Sequence, residues 1–428
     1  METTVLGYPR VGARGELKQA TEAFWAGLET RARLTEAAAA VRRQTWETLR
    51  DSGLSGVPSN TFSLYDHVLD TAVMVNAVPE RFAALDGLDA YFAMARGAAG
   101  VAPLEPVRWF DTDYHYLAPE LGPDADLRLA GFKPVLEYLQ ARSLGIETRP
   151  AVLGPLSFLL LARPAAPGFA PLALLDPLLD VYEQLLEKLY MAGAQWVQLD
   201  EPVLAADRTP TELAALRHAY RRLGYGIRRP ALLVSTCFGE IGEALPVLAA
   251  SPAEAIGLDF VAGPGNADAL AAMGGIGLKT LFAGVVDGRN PWRAELPRVL
   301  SLCGSLAGLA GNLVVSTSCS LLHLPHDLDP AAAPEPAGLL SCAQEKVREV
   351  VALGGEDVAG VEVGMQEHRV AAVPRELAEQ ADAFPCYRRG KAAPFGWAPP
   401  VVPVGPVVAH FRKGPEAVAG RELQPKAL

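Results

Sequence analysis

Short apolar, β-branched runs alternate with longer segments of helical periodicity along most of the chain. Several of these runs are continuously apolar, a pattern typical of parallel strands that are covered on both faces. Helical spacing fills the segments between them, for example 172–192 and 212–223. The candidate strands are residues 3–8, 61–65, 108–110, 150–153, 196–199, 232–235, 256–258, 281–286 and 313–316.

This repetition of strand and helix predicts an α/β fold, and its length favours one closed (β/α)8 barrel over an open sheet. A barrel needs eight strands, so one of the candidates at 61–65 and 108–110 is expected to be a loop. Residues 21–51 are predicted to form an N-terminal helical insertion outside the barrel. We place the barrel at 1–384 and an irregular Pro- and Gly-rich tail at 385–428.

The composition of the chain excludes several classes of protein. The chain carries 38 Lys and Arg against 49 Asp and Glu, a formal net charge of −11, which excludes binding to nucleic acid through a basic surface. Five cysteines without regular spacing argue against a disulfide scaffold and suit a reducing cytoplasm. Apolar runs such as 158–162 are far shorter than the ~20 residues of a membrane span, and the N-terminus lacks a signal-like apolar region. We therefore expect a cytoplasmic protein that contacts neither membrane nor nucleic acid.

Polar clusters follow almost every candidate strand. They are Pro9-Arg10, Asp66-His67, Asp200-Glu201-Pro202, Thr236-Cys237, Asp259, Asp287 to Asn290 and Ser318 to Ser320. Solvated loops are polar in any fold. In a parallel barrel, however, all carboxyl strand ends face one mouth, where active sites are built. We expect side chains as distant in sequence as Arg14, Asp200 and Cys319 to open onto one cavity.

Titratable side chains in these clusters are candidate catalytic groups. Asp200 and Glu201 point in opposite directions on an extended chain, so at most one faces the barrel interior, where it could bind an ammonium group or transfer a proton. The alternative is a structural carboxylate that caps a helix. His67, His115 and His323 are candidate imidazoles, with a structural role as the alternative for each.

Cys237, Asp259 and Cys319 form a candidate metal site, since all three end predicted strands. Two thiolates and a carboxylate would occupy three positions of a tetrahedral zinc and leave one for a substrate. No CxxC or HxC spacing supports this site, and buried cysteines that act as small apolar side chains are the alternative.

Cations near predicted strand ends form a candidate anion site. Arg14, Lys18 and Arg108, together with Arg10, could bind a polyanionic ligand. For Arg14 and Lys18, four residues apart, a solvated helix face is the alternative. The chain has no G-x-S-x-G, P-loop or strand-linked G-x-G-x-x-G motif, so hydrolase, NTPase and Rossmann functions lack their usual signatures.

Longer motifs resemble the start of the cobalamin-independent methionine synthase family, in family order. They are residues 6–12 (LGYPRVG), 14–18 (RGELK), 65–69 (YDHVL), 109–116 (WFDTDYHY), 152–155 (VLGP), 196–202 (WVQLDEP), 288–293 (GRNPWR) and 318–323 (SCSLLH). The resemblance implies the N-terminal one of two duplicated barrels. It also implies methyl transfer from 5-methyltetrahydropteroyltri-glutamate to homocysteine, in methionine biosynthesis, with zinc held by the absent C-terminal barrel.

In that family the N-terminal barrel supplies cations that hold the polyglutamate tail of the folate. The motif match implies that the folate-binding positions here are Arg14, Gly15, Glu16 and Leu17, with Lys18 beside them, and Arg108. Arg108 stands where the family usually has lysine, so the charge is kept while the geometry differs. Internal duplication would place Ser235, Cys237, Asp259 and Cys319 at the positions of the zinc ligands, although serine is a poor ligand.

Three functions remain open. The first is a stand-alone methyltransferase with zinc on Cys237, Asp259 and Cys319, in which Asp200 or Glu201 holds the substrate's amino group and His115 is a further candidate catalytic group. The second is a non-catalytic, folate-binding half of a split synthase, whose partner is a separate zinc-bearing barrel protein. The third is a methyltransferase with another acceptor.

Overall fold

Eight parallel strands form a ring in the computed structural model, which describes residues 1–326 and 341–355. They are β1 (Glu2–Thr3), β2 (Val57–Ser59), β3 (Thr148–Leu153), β4 (Trp196–Asp200), β5 (Ala231–Ser235), β6 (Ala255–Asp259), β7 (Thr280–Val286) and β8 (Asn312–Thr317). Strands β2 to β8 pair in sequence order and β8 pairs with β1. A parallel bridge between Thr4 and Gly56 joins β1 to β2 and closes the ring. The predicted (β/α)8 barrel is confirmed.

Helices cover the outside of the ring. They are α1 (Glu16–Trp25), α2 (Arg31–Asp51), α3 (His67–Met74), α4 (Gly87–Arg96), α5 (Lys133–Ser143), α6 (Pro155–Leu161), α7 (Leu175–Ala192), α8 (Pro210–Gly224), α9 (Ala244–Ala249), α10 (Gly265–Ala272), α11 (Leu296–Ala307) and α12 (Ala343–Gly354). Short 3₁₀ turns lie at Glu80–Phe82, Pro171–Leu174, Pro202–Ala205 and Leu321–His323. Helix α7 illustrates why the α-helices form where they do, since its apolar residues recur at helical spacing and are buried.

The connection from β2 to β3 is much longer than the others and carries α3, α4 and α5. It also contains an antiparallel ribbon of Pro106–Arg108 and His115–Leu117. A short strand at Glu120–Leu121 pairs in parallel with Arg163–Pro164, beyond α6. This connection supplies much of the wall around the mouth of the barrel.

Both doubtful strand candidates were wrong. The second barrel strand is Val57–Ser59, whereas 61–65 is loop and 108–110 begins at the end of the ribbon, outside the barrel. Phe62 and Tyr65 are buried without belonging to a strand. Their burial produces a strand-like pattern, while a three-residue strand that contains Pro58 is too short to produce one.

The N-terminal helical insertion is confirmed as two helices, α1 and α2, which pack on each other. They are separated near Gly27, where φ is +70°, a conformation that favours glycine. The predicted tail at 385–428 lies outside the described residues, as does the proposed barrel boundary at 384. Among the described helices, none has both the length and the apolar character needed to cross a membrane.

Candidate functional site

A cavity of about 100 Å³ opens at the carboxyl ends of the strands, inside the barrel mouth. The strand ends contribute Leu153, Asp200 and Ser235 to its wall. The long connection between β2 and β3 contributes His67, Asp70, Met74, Trp109 and Lys133. Side chains that are far apart in sequence therefore converge on one cavity at the face where barrel enzymes bind ligands.

Asp200 is the carboxylate at the floor of this cavity. It ends β4 and lies beside Ser235, the last residue of β5. Gln198 Nε2 donates a hydrogen bond of 2.7 Å to Asp200 Oδ1. Burial raises the pKa of Asp200 to about 7, although Gln198 and the charge of Arg149 favour the ionised form. Protein surrounds this carboxylate, yet the residue keeps part of its exposure through the cavity.

Arg149 lies beneath Asp200 in the barrel interior and acts on it through Gln198. Arg149 Nε donates to Gln198 Oε1 at 3.0 Å, and its other nitrogens donate to Thr4 Oγ1 and Val5 O at 3.2 Å. Burial lowers the pKa of Arg149 to about 10, so the guanidinium is charged at neutral pH. The buried charge thus connects β1, β3 and β4 below the cavity.

Glu201 points away from the cavity, as the alternation of side chains along an extended chain requires. Its carboxylate accepts hydrogen bonds from the backbone amides of Leu156 and Ser157 at the start of α6, at 3.1 and 2.6 Å. Tyr220 Oη donates a third, at 2.8 Å. Glu201 therefore caps a helix in the outer layer. Of the two candidate carboxylates, Asp200 is the one that faces the cavity.

Aromatic rings line the outer wall of the cavity. Trp109 contacts His67 edge-to-face at 4.5 Å between centroids. Phe110 and Phe238 stack at 5.0 Å and 23°. Both phenylalanines have positive φ angles, +48° and +75°, which are strained for residues with side chains. The stacking of the two phenylalanine rings, and the contact of Phe238 with Trp109, help to hold these strained backbone conformations at the mouth.

The imidazoles divide between the cavity and the surface. His67 and His323 line the cavity, and burial lowers the pKa of both, that of His323 to about 3. Both are therefore neutral at physiological pH. His115, the candidate catalytic imidazole, is exposed on the ribbon, with Nδ1 at 3.2 Å from the carbonyl oxygen of Asp113.

Lys133 is the cation of the cavity wall, and its ammonium group is fully engaged. Nζ donates to Asn60 Oδ1 at 2.7 Å and to the Phe62 carbonyl at 2.6 Å. It also forms ion pairs with Asp70 at 3.2 Å and Glu137 at 3.3 Å. An ammonium group has three protons to donate, so these four acceptors leave it no free donor for a ligand.

The candidate metal residues lie around the strand ends without forming a metal site. Asp259 Oδ1 accepts from the amides of Val261 and Ala262, and Oδ2 from the amide of Phe238, all at 2.8–2.9 Å. Burial raises the pKa of the Cys237 and Cys319 thiols. No group of three or more His, Cys, Asp or Glu side chains within residues 1–326 and 341–355 is arranged to hold a metal ion. These residues do not fit the predicted zinc site.

The candidate folate-binding cations lie on the surface at the same end of the barrel. Arg14 and Lys18 follow β1 and are 88% and 52% exposed, paired with Glu16 at 3.2 Å and Glu22 at 4.0 Å. Arg108 ends a ribbon strand, and its Nε donates to the Thr112 carbonyl at 2.8 Å. The cavity wall contains none of these three cations. Of Arg14, Asp200 and Cys319, which we expected to converge, only Asp200 lines the cavity, together with Cys237.

Sequence reasoning overlooked Lys133, Arg149 and Gln198. Lys133 begins a helix that does not directly follow a predicted strand, so nothing local indicates that it reaches the mouth. Arg149 and Gln198 offered a better signal, because each is a polar residue at or inside a predicted strand. A polar side chain inside a barrel strand requires a partner in the interior.

Comparison with known proteins identifies the relatives of the chain. The family described as cobalamin-independent synthase, N-terminal domain, matches residues 2–311. The chain is 53% identical over 360 residues to the 5-methyltetrahydropteroyltriglutamate–homocysteine methyltransferase of Streptomyces griseus, and 49% identical over 362 residues to that of Rhodococcus jostii. These alignments cover 82% and 84% of this chain but 46% and 48% of the relatives. The chain thus spans about half the length of the curated relatives it matches.

Solved structures support the fold alone. A B12-independent methionine synthase from Shewanella sp. W3-18-1 matches with a TM-score of 0.56 at 14% identity, covering 85% of this chain and 98% of that one. A putative vitamin-B12 independent methionine synthase from Listeria monocytogenes gives the same TM-score at 12% identity, covering 82% and 98%.

Proposed function

Since the chain belongs to the cobalamin-independent methionine synthase family, we propose that it takes part in methyl transfer from 5-methyltetrahydropteroyltriglutamate to homocysteine. The observation that carries this proposal is the 53% identity to a relative named for that reaction. The chain would act in methionine biosynthesis as the counterpart of the N-terminal half of such an enzyme.

The role of this chain would be to hold the polyglutamate tail of the methyl donor. Arg14, Lys18 and Arg108 are exposed cations. Glu22 and Asp111, which pair with Lys18 and Arg108, are exposed, and Glu16, which pairs with Arg14, is half-buried. Surface ion pairs of this kind contribute only about 0–1 kcal/mol, so a ligand with several carboxylates can replace them. Gly15, Glu16 and Leu17 would place the tail at the start of α1, where helix amides favour negative charge.

The homocysteine thiol would be activated on a separate zinc-bearing barrel. This part of the proposal is supported by the described residues, which are not arranged to hold a zinc ion. No step of the reaction is therefore derived through zinc in this barrel. Free thiols at Cys303 and Cys342 support a reducing, cytoplasmic location.

A reconstitution assay tests this function. The purified chain is mixed with the separately expressed C-terminal half of the Streptomyces griseus enzyme, and methionine formation is measured with triglutamate and monoglutamate donors. We expect neither protein alone to transfer methyl groups and the mixture to do so. Combined Arg14→Ala, Lys18→Ala and Arg108→Ala changes should lower activity with the triglutamate donor about tenfold and leave the monoglutamate rate unchanged.

Arg228→Ala is the matched control, because Arg228 is an exposed arginine paired with Glu187 elsewhere on the surface. It should change neither rate. Equal losses with both donors would contradict the tail-binding role. Turnover by the chain alone, with zinc found by elemental analysis, would favour the stand-alone enzyme instead. Replacing homocysteine by other thiols in the same assay identifies a different acceptor.

A further inference from the structure

The cavity at the barrel mouth has no part in the proposed binding of the folate tail, because that role falls to exposed cations outside its wall. It nevertheless has features of a ligand site: a concave, largely apolar wall and a carboxyl group among the residues that line it. Leu153, Met74, Trp109 and Phe238 provide the apolar surface, and Asp200 provides the charge.

The charges of the wall decide which ligand it favours. The two cavity imidazoles are neutral, and Lys133 is paired with Asp70 and occupied by its other acceptors. Arg149 supports Asp200 from behind and gives its own hydrogen bonds to Gln198, Thr4 and Val5. Asp200 thus presents to the cavity a carboxyl group that is ionised above its pKa of about 7, whereas the described wall offers no cation that is free to pair with an anionic ligand.

The size of the cavity sets a second limit. Its volume of about 100 Å³ is smaller than the roughly 150 Å³ apolar cavity that accepts benzene, which has six non-hydrogen atoms. In proportion, this cavity holds about four non-hydrogen atoms, and one more atom can extend into its open mouth. Aromatic rings such as Trp109 and Phe238 also favour a cation over an anion.

We propose that this cavity binds a short aliphatic primary ammonium ion that carries no carboxylate group. Its ammonium group would donate to Asp200, and its carbon chain would lie against Met74, Trp109 and Phe238. An amino acid would be disfavoured because its carboxylate would meet neutral imidazoles and a lysine that is already engaged. The site would therefore discriminate amines from amino acids.

Calorimetric titration of the full chain tests this proposal with three matched probes. They are n-butylammonium, 1-butanol, which has the size without the charge, and L-norvaline, which is the same amine with a carboxylate added. We expect n-butylammonium to bind at least tenfold more tightly than either of the others. Equal binding of 1-butanol or of L-norvaline would overturn the proposal, as would competition by potassium ions at concentrations equal to those of n-butylammonium.

The substitution Asp200→Asn tests whether the charge of Asp200 binds the ligand, since it keeps the size of the side chain and removes its charge. It should weaken n-butylammonium binding about tenfold or more, because a hydrogen bond between charged groups is lost. Asp176→Asn is the control, as Asp176 is an exposed carboxylate that pairs with His218 outside the barrel. Unchanged affinity in folded Asp200→Asn overturns the proposal. If that variant does not fold, the three probes on the unaltered chain still decide. Neither result depends on triglutamate binding, so failure here leaves the proposed function untouched.

Discussion

At the scale of single residues, Asp200 and Glu201 show how one peptide bond separates two chemical environments. Asp200 meets the cavity, while Glu201 meets the amides at the start of α6. The sequence predicts that the two side chains diverge, because alternation along a strand is local. Which of them faces inward depends on the register between β4 and its neighbours, and register is set by tertiary contacts.

Glu201→Gln should lower the free energy of unfolding by about 2 kcal/mol. The substitution replaces a charged acceptor of three buried hydrogen bonds by an amide with a single acceptor oxygen. Urea unfolding followed by circular dichroism measures the change. Glu187→Gln, on the exposed face of α7, should change stability by less than about 0.5 kcal/mol. Equal effects of the two substitutions would contradict the capping role.

Asp200→Asn should change the pH dependence of stability. The pKa of Asp200 is about 7 in the folded protein and about 3.9 in an unfolded chain, so the folded state binds more protons between these values. The contribution of Asp200 to the free energy of unfolding is therefore fully present below about pH 4 and is lost as the pH rises through about 7. Urea unfolding of the unaltered protein and of Asp200→Asn across this pH range gives the difference between their free energies of unfolding. A difference that does not change with pH would contradict the raised pKa of Asp200.

At the scale of elements, helices and most strands follow from local patterns. Helix α8 begins with a complete capping box, in which Thr209 Oγ1 accepts from the amide of Glu212 and Glu212 Oε2 accepts from the amide of Thr209. The strands from β3 to β8 lie within a few residues of the predicted runs, because both of their faces are covered by apolar neighbours. The short strand β2 has too few residues for a pattern and was missed.

Thr209→Ala should destabilise the protein by about 1 kcal/mol, since it leaves the backbone amide of Glu212 in the first turn of α8 without its side-chain acceptor. Thr35→Ala is the control inside α2, where an exposed threonine becomes a better helix former. It should leave stability unchanged or raise it slightly. Chemical unfolding of the two variants measures both effects, and similar losses would contradict a specific role of the cap.

At the scale of the whole molecule, the barrel and the long connection between β2 and β3 build the site together. The barrel provides the floor with Asp200, and the connection provides Trp109 and Lys133. The buried Arg149 joins three strands beneath that floor. Arg149 therefore holds strands of the ring together and also supports Asp200 in the cavity, through its hydrogen bond to Gln198.

Arg149→Met should lower the free energy of unfolding by about 3 kcal/mol, because it leaves acceptors on Thr4, Val5 and Gln198 without their donor. Arg142→Met, at the exposed end of α5, should cost less than about 1 kcal/mol. Thermal and urea unfolding compare the two. A loss as small as that of the control would show that the interior guanidinium does not hold the strands together.

The sequence by itself determined the class of fold, the repetition of strand and helix, and the end of the barrel where chemistry-bearing residues gather. These features depend on the period of apolar residues and on the residues that follow each strand, and both are local. It also marked Asp200, His67, Cys237 and His323, all of which line the cavity. Only the tertiary structure decided that Glu201 caps a helix, that the cation Lys133 is already engaged and that Asp259 accepts hydrogen bonds from three backbone amides. Such outcomes depend on partners distant in the chain, which no local pattern specifies.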